Sequence, residues 1–269
     1  MYGAAVGDII GSIYEHHNIK TKDFPLFGEG CRFTDDTSMT CAVTNALRVY
    51  ASLRDAGRPA VEAYKKELQA QMRYYVRTYT HGYGKLFEQW ALTDNPEPLN
   101  IGYNGAAMRV STVAYFTRTL SECDLLAGLS AVASHNNPEA VRGARAVACA
   151  GFLALQGNSM ESIRREVEER YYYDLGFTLD SIRADYKFEL SCQGAVPPAI
   201  VAFLESTGFE DAVRNAISIG GDSDTLAAIA GGLAGVKYGV PSDILAKALT
   251  FLPEEITNCL RMPAGNILE

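Results

Sequence analysis

Two short acidic clusters hold the residue types best suited to chemistry. "CRFTDDTSMT", residues 31 to 40, sets Asp35 and Asp36 side by side between Thr34 and Thr37. Far along the chain, "SIGGDSDTLAAIAGG" places Asp222, Asp224 and Thr225 directly after a glycine pair. Each cluster precedes an apolar run of helical period. Helix capping accounts for part of this pattern, because Asp, Ser and Thr side chains satisfy the free N–H groups of a first turn and suit the positive end of the helix dipole. One cap needs one side chain, however, and here the polar groups come in threes. If the four carboxylates converge, they repel one another unless cations lie between them. Carboxylate and hydroxyl oxygens are hard ligands, suited to Mg²⁺, Ca²⁺ or Mn²⁺ and not to zinc. Six such side chains suffice for two ions with waters to spare, and ions about 3.5–4 Å apart can orient vicinal substrate oxygens and activate a water. Spacing alone leaves metal binding and capping both open.

Further candidates surround these clusters. Glu15, in "GDIIGSIYEHHN", falls at the end of a predicted helix; taken alone, a solvated glutamate is the plainer reading. Asp8 in the same stretch reads as structural, capping or tying helices together, and His16 and His17 as surface residues. In "NIGYNGAAMRV", Gly102, Tyr103, Asn104 and Gly105 precede a predicted helix, an arrangement that can offer backbone N–H groups to a diphosphate. The same residues also make an ordinary loop-to-helix turn. Arg109, inside that helix, suggests a structural pair. Ser134 and His135, in "ASHNNPEA", mark a helix–loop junction. Cys192 has no histidine in a known local signature, which argues against a cysteine nucleophile.

The elements that must position these groups read as helices. In "VRGARAVACAGFLAL", Val141, Ala144, Ala148, Phe152 and Leu155 recur at three- and four-residue steps and form one apolar face. "TSMTCAVTNALRVYASL" carries Met39, Val43, Ala46, Leu47 and Tyr50 on a similar stripe. "VPPAIVAFLES" has prolines at what looks like a first helical turn, and "GFEDAVRNAISIGG" ends in a glycine pair that reads as a stop. "SIRREVEERYYYD" reads as a solvated charged helix. Two-residue alternation is scarce. The expectation is an all-α protein of about ten or more helices, with loops at 18–33, 93–104 and 174–195. "GAAVGDIIGS", "NGAAMRV" and "TLAAIAGGLAGV" are rich in Gly and Ala, although each glycine costs an exposed helix roughly 1 kcal/mol against alanine. Their repetition points to closely packed helices or to backbone brought near a ligand.

Composition bounds the rest. The 269 residues are 48% hydrophobic and 21% charged, ordinary for a globular protein. The net charge of −8 disfavours a nucleic-acid partner, since phosphate contacts need a basic patch. Six cysteines without a CxxC pair form neither a zinc pattern nor a dense disulfide framework, so a reducing, cytoplasmic setting is expected. The opening "MYGAAVGDIIGS" lacks a basic segment and is interrupted by Asp8, so it does not read as a signal peptide. No apolar run approaches a membrane span. No linker, repeat or low-complexity tract divides the chain, which leads us to expect one compact domain over 1–269.

"GDIIGSIYE", "FTDDTSMT", "NGAAMRV", "SHNNPEA", "YKFELSCQGAVPPAIVAFLES" and "GGDSDTLAAIAGGLAG" together resemble the successive blocks of the ADP-ribosylglycohydrolase family, in the family's order, from Ala4 to about Gly235. The resemblance implies a single orthogonal multi-helix domain with two Mg²⁺ ions (Mn²⁺ as a substitute) at the base of a cleft. It implies Thr34, Asp35, Asp36, Asp222, Asp224 and Thr225 as metal ligands, and Glu15 with Asp35 and Asp36 as catalytic groups. Gly102, Tyr103, Asn104, Gly105, Ser134 and His135 fall to substrate binding. The family often reads Gly-Asn-Gly where this chain has Tyr103-Asn104-Gly105, which puts the loop conformation in question. The reaction implied is hydrolysis of the bond between ADP-ribose and an acceptor, expected to be a protein. Alternatives are a free derivative such as O-acyl-ADP-ribose as substrate, or a non-catalytic member that binds ADP-ribose or serves a structural role.

Overall fold

The computed structural model describes residues 1–80 and 82–262. Its α-helices are α1 (Gly3–Gly11), α2 (Asp35–Asp55), α3 (Val61–Thr78), α4 (Lys85–Leu92), α5 (Leu120–Val132), α6 (Pro138–Leu155), α7 (Met160–Tyr171), α8 (Leu179–Ile182), α9 (Cys192–Leu204), α10 (Phe209–Ser218), α11 (Ser223–Tyr238), α12 (Ser242–Leu249) and α13 (Glu254–Leu260). Two 3₁₀ turns, Asn104–Ala106 and Ser111–Phe116, lie between α4 and α5. Among the described residues there is no sheet, only two isolated bridges, Leu99 with His135 and Tyr103 with Ser191. The all-α expectation is borne out. Among the described residues, no helix is long and apolar enough to cross a membrane.

The deepest layer is α1 against α11. Every residue of α1 is buried, as is α11 from Ser223 to Ala234. The reason is steric. Gly3, Gly7 and Gly11 recur every four residues and so line one face of α1. A Cβ added at Gly7 would lie 1.9 Å from the Ala227 carbonyl oxygen, and one at Gly3 would lie 2.3 Å from that of Gly231. Glycine here permits backbone-to-backbone contact, as the Gly/Ala pattern suggested. Around this pair, α2 packs on α3 and α13, while α10, α9 and α6 pack on α11. Helix α10 stops where expected: Gly220 and Gly221 both take positive φ (70° and 81°) and turn the chain into α11.

Two local expectations are corrected. The prolines of "VPPAIVAFLES" do not sit in a first turn. Helix α9 begins at Cys192, capped by Ser191 whose side chain accepts from Gly194 N, so Pro197 and Pro198 lie inside it. Proline at 198 removes the donor that would reach the Gly194 carbonyl. Tyr186 Oη donates to that carbonyl instead, at 3.1 Å. Likewise "NGAAMRV" is not an α-helix. Asn104 N donates to Leu190 O (2.7 Å) and the Asn104 side chain is held by Asp222, so tertiary bonds fix the segment as a tight 3₁₀ turn.

Candidate metal centre and cleft

Helices α2 and α11 start side by side, and both starts face one cleft of about 340 Å³. At α2 the capping duty falls to Thr34: its side-chain oxygen accepts from Asp36 N at 3.3 Å. Asp35 and Asp36 then occupy the first helical turn with their carboxylates free of that duty. At α11 the N-cap position belongs to Asp222, whose carboxylate makes no capping bond. Asp224 Oδ1 accepts from Thr225 N at 3.0 Å in the first turn of α11, so Asp35, Asp36 and Asp222 are the acids surplus to capping. The two motifs touch directly, since Thr225 Oγ1 donates to Asp36 Oδ2 at 3.3 Å.

Carboxylate oxygens of Asp8, Asp36 and Asp224 lie within 4.8 Å of one another, and so do those of Glu15, Asp222 and Asp224. Asp224 belongs to both groups. Asp8 spends its oxygens elsewhere: it accepts from Thr34 N (2.8 Å), Thr34 Oγ1 (2.8 Å), Thr37 N (3.2 Å) and Thr37 Oγ1. It ties α1 to the start of α2, the structural part expected of it. Asp36 differs, because its Oδ1 is buried with no hydrogen-bond partner. An unpartnered buried carboxylate oxygen is costly, and a divalent cation is the partner that hard, anionic oxygens fit best. The donor set therefore suits the ions expected from the sequence.

Electrostatics point the same way. Burial, then the neighbouring carboxylates Asp8 and Asp222, raises the Asp35 carboxyl well above its usual range. Burial and repulsion from Asp8, Asp35 and Asp222 do the same to Asp36. Burial, then Asp36 and Asp222, raises Asp224. Asp222 is raised by burial against the pull of its hydrogen bonds, among them one from Asn104 Nδ2 at 2.6 Å. Glu15, partly open to the cleft, is raised by burial and by Asp222 while the nearby His16 opposes the shift. The dipoles of α2 and α11, positive at these ends, offset only part of the repulsion.

The remaining sequence candidates spread around this floor. Tyr103, Asn104, Gly105 and His135 line the cleft. Asn104 turns its side chain to Asp222, and the backbone N–H groups of Asn104 and Ala106 are taken by Leu190 O and Tyr103 O. Gly102 faces α6 instead: a Cβ there would meet Glu139 and Asn137, and its carbonyl accepts from Cys192 N at 2.8 Å. Ser134 lies behind the wall, fully buried, with Oγ 2.8 Å from His135 Nδ1. His135 is pushed down to about 3 by burial and by Arg109, and so stays neutral. Arg109 has no acidic partner among the described residues; its buried guanidinium donates to Ser130 O (2.7 Å) and Ser134 Oγ (3.0 Å). The structural pair expected of it is made with serine oxygens.

Sequence reading missed one wall. Gly82, Gly84, Lys85, Leu86 and Phe87 line the cleft together with Tyr103 and Phe188. Phe87 stacks on His135 (centroids 5.9 Å) and on Trp90 (5.4 Å). Gly82 has φ +92°, and a Cβ there would lie 2.7 Å from Asp35 Oδ1. The paired glycines of "GYGK", 82–85, were the signal available, since such spacing marks close backbone approach.

An ADP-ribosylglycohydrolase family model matches residues 1–262. The chain is similar to the ADP-ribosylhydrolase ARH3 of Gallus gallus, 28% identical over 312 aligned positions that cover 88% of this chain and 83% of that protein. Against ARH3 of Homo sapiens the identity is 27%, with coverage of 88% and 84%. The ADP-ribosylarginine hydrolase Tri1 of Pseudomonas putida (strain GB-1) is 26% identical, over 89% of this chain and 70% of that one. A solved structure described as an ADP-ribosylglycohydrolase-related protein complex superposes with a TM-score of 0.62 at 25% identity, covering 96% of this chain and 89% of the other.

Proposed function

The chain belongs to the ADP-ribosylglycohydrolase family, and from that premise we propose that it hydrolyses the glycosidic bond between ADP-ribose and a protein acceptor with the aid of two Mg²⁺ ions. The observation that carries this reading is the meeting of Asp35 and Asp36 with Asp222 and Asp224 across one cleft, with Asp36 Oδ1 buried and unpartnered. The ligands we assign are Thr34, Asp35, Asp36, Asp222, Asp224 and Thr225. Mn²⁺, with the same preference for oxygen, substitutes. Bound there, such ions supply Lewis acidity and lower the pKa of a coordinated water.

The chain's own groups do the rest. Asn104 fixes the orientation of Asp222 through its 2.6 Å bond. Glu15, with its pKa raised, is the base that takes the proton of the attacking water. The water oxygen bonds to the anomeric carbon, the bond to the acceptor breaks, and the acceptor leaves with the proton that Glu15 took from the water. Positive charge developing at the anomeric carbon is stabilised by the carboxylates of the floor. Tyr103, Gly105 and His135, with the wall formed by Phe87, hold the rest of the ADP-ribose. Gly102 and Ser134 act from behind, supporting that loop and the His135 ring. The net charge of −8 favours a protein over a nucleic-acid acceptor.

The test is a panel of defined ADP-ribosylated acceptors, with arginine, serine, nucleic-acid and O-acetyl linkages, incubated with Mg²⁺ and scored for free ADP-ribose. Release from a protein linkage, lost in Asp35→Ala and Asp222→Ala, is expected. Tight binding of ADP-ribose without release from any acceptor would identify a non-catalytic member. Release from the O-acetyl compound alone would move the substrate to free derivatives. Undiminished turnover in both variants would sink the metal mechanism.

A further inference from the structure

Glu15, Asp222 and Asp224 bring carboxylate oxygens within 4.8 Å of one another, yet two of the three sit on irregular backbone. Helix α1 ends at Gly11, so no helical ladder fixes Glu15. Asp222 follows Gly220 and Gly221, both at positive φ. Something else must set the spacing between these two stretches, and the surface residue Asn18 is placed to do so. Its Nδ2, with two hydrogens, lies in donor range of Tyr14 O (2.7 Å), Glu15 O (2.9 Å) and Gly221 O (2.9 Å), so that one hydrogen is shared. Its Oδ1 accepts from Gly221 N at 2.7 Å. One side-chain amide therefore grips the backbone carrying Glu15 and the backbone just before Asp222. Two neighbours reinforce the joint: Ser223 Oγ donates to Tyr14 O at 3.3 Å, and Lys20 Nζ donates to Tyr186 O (2.6 Å) and to Ile219 O.

We propose that Asn18 is a positioning residue whose amide clasp holds the backbone just before Asp222, an assigned ligand, against the backbone of Glu15, the assigned base, and thereby sets the cation affinity of the centre. The inference rests on the metal reading above. A side chain at the surface contributes little to the core, so its loss leaves the fold intact while the two carriers drift apart. Residues behind metal ligands typically govern affinity by about 10- to 100-fold.

The experiment uses the full chain and titrates Mg²⁺ by calorimetry, with the metal-free melting temperature and far-UV circular dichroism recorded for each variant. Asn18→Ala is expected to weaken Mg²⁺ binding by about tenfold while metal-free melting and helicity match the parent. N18D is the second variant. It adds negative charge beside the centre, which by attraction alone would tighten cation binding, but it loses the amide donors, and weaker binding is expected here too. Unchanged affinity in Asn18→Ala, tighter binding in N18D, or a fall in affinity matched by a fall in metal-free melting would each overturn the inference. Asp222→Ala separates the two levels. A parent chain that binds neither Mg²⁺ nor Mn²⁺ removes the metal reading and this inference with it. Binding lost in Asp222→Ala but untouched in Asn18→Ala removes this inference alone.

Discussion

Replacing Asp36 by asparagine would take one charge from carboxylates that burial and mutual repulsion already hold in tension. We therefore expect Asp36→Asn to melt at a higher temperature than the parent in a chelator and to gain far less from added Mg²⁺, as paired thermal scans would show. Activity should fall by more than about 100-fold, since losing a ligand costs more than losing the groups behind it. Glu15→Gln should lower kcat by roughly 100-fold or more, the usual scale of a general base, while Mg²⁺ still stabilises the protein; a kcat within a fewfold of the parent would remove Glu15 from that role. At this scale much was legible. Asp35, Asp36, Asp222 and Asp224 stood out because a cap needs one polar side chain and each cluster offered more. Asn104 was noticed for its loop, whereas its bond to Asp222 spans 118 residues and leaves no local trace. The glycines of "GYGK" did mark a close backbone approach, but nothing local names Asp35 as what Gly82 meets.

The crossing of α1 on α11 is the element-scale feature on which the centre depends. It seats the end of α1 on the start of α11, where a Cβ at Gly11 would lie 2.5 Å from the Ser223 carbonyl oxygen, while Asp8 separately ties α1 to the start of α2. Gly7→Ala puts a methyl where the Ala227 carbonyl oxygen already lies, 1.9 Å from the built position, and backbone cannot rotate aside as a side chain can. Overpacking of this kind costs about 1–3 kcal/mol even where side chains can adjust. Urea unfolding should show a loss of about 3 kcal/mol or more, with activity falling alongside. The Gly/Ala spacing of α1 made this contact readable from sequence, although not which helix would be the partner. The prolines of α9 show the opposite case. Their helix starts five residues earlier than the proline rule suggested, because Ser191 caps it and Tyr186 Oη supplies the donor that Pro198 lacks. Tyr186→Phe should leave the Gly194 carbonyl unpaired and destabilise the protein by about 1–3 kcal/mol, measurable by the same unfolding experiment.

Over the whole molecule, the carboxylate floor couples stability to pH and metal. The carboxyls of Asp35, Asp36, Asp222 and Asp224 are raised, and that of Asp8 is raised to about 6. Between the ordinary carboxylate range and these raised values the unfolded chain releases protons that the native chain keeps, so metal-free stability falls as pH rises. Melting in a chelator should decline from about pH 4 through about pH 6. With Mg²⁺ the trend should weaken or reverse, because the ion binds the deprotonated groups. At neutral pH, Mg²⁺ at 100 times its Kd should stabilise by about 2.7 kcal/mol, roughly 5 °C for a chain of this size. A melting temperature indifferent to Mg²⁺ and Mn²⁺ would contradict the metal reading. The sequence by itself determined the helical class and the residue types of the centre, because apolar period and clustered hard ligands are local properties of the chain. Tertiary structure alone decided that the two acidic clusters face each other, that Asn104 bonds Asp222, that Gly82 closes on Asp35 and that Asn18 bonds Gly221. Those relations arise from packing between residues far apart in the chain, which no local pattern records.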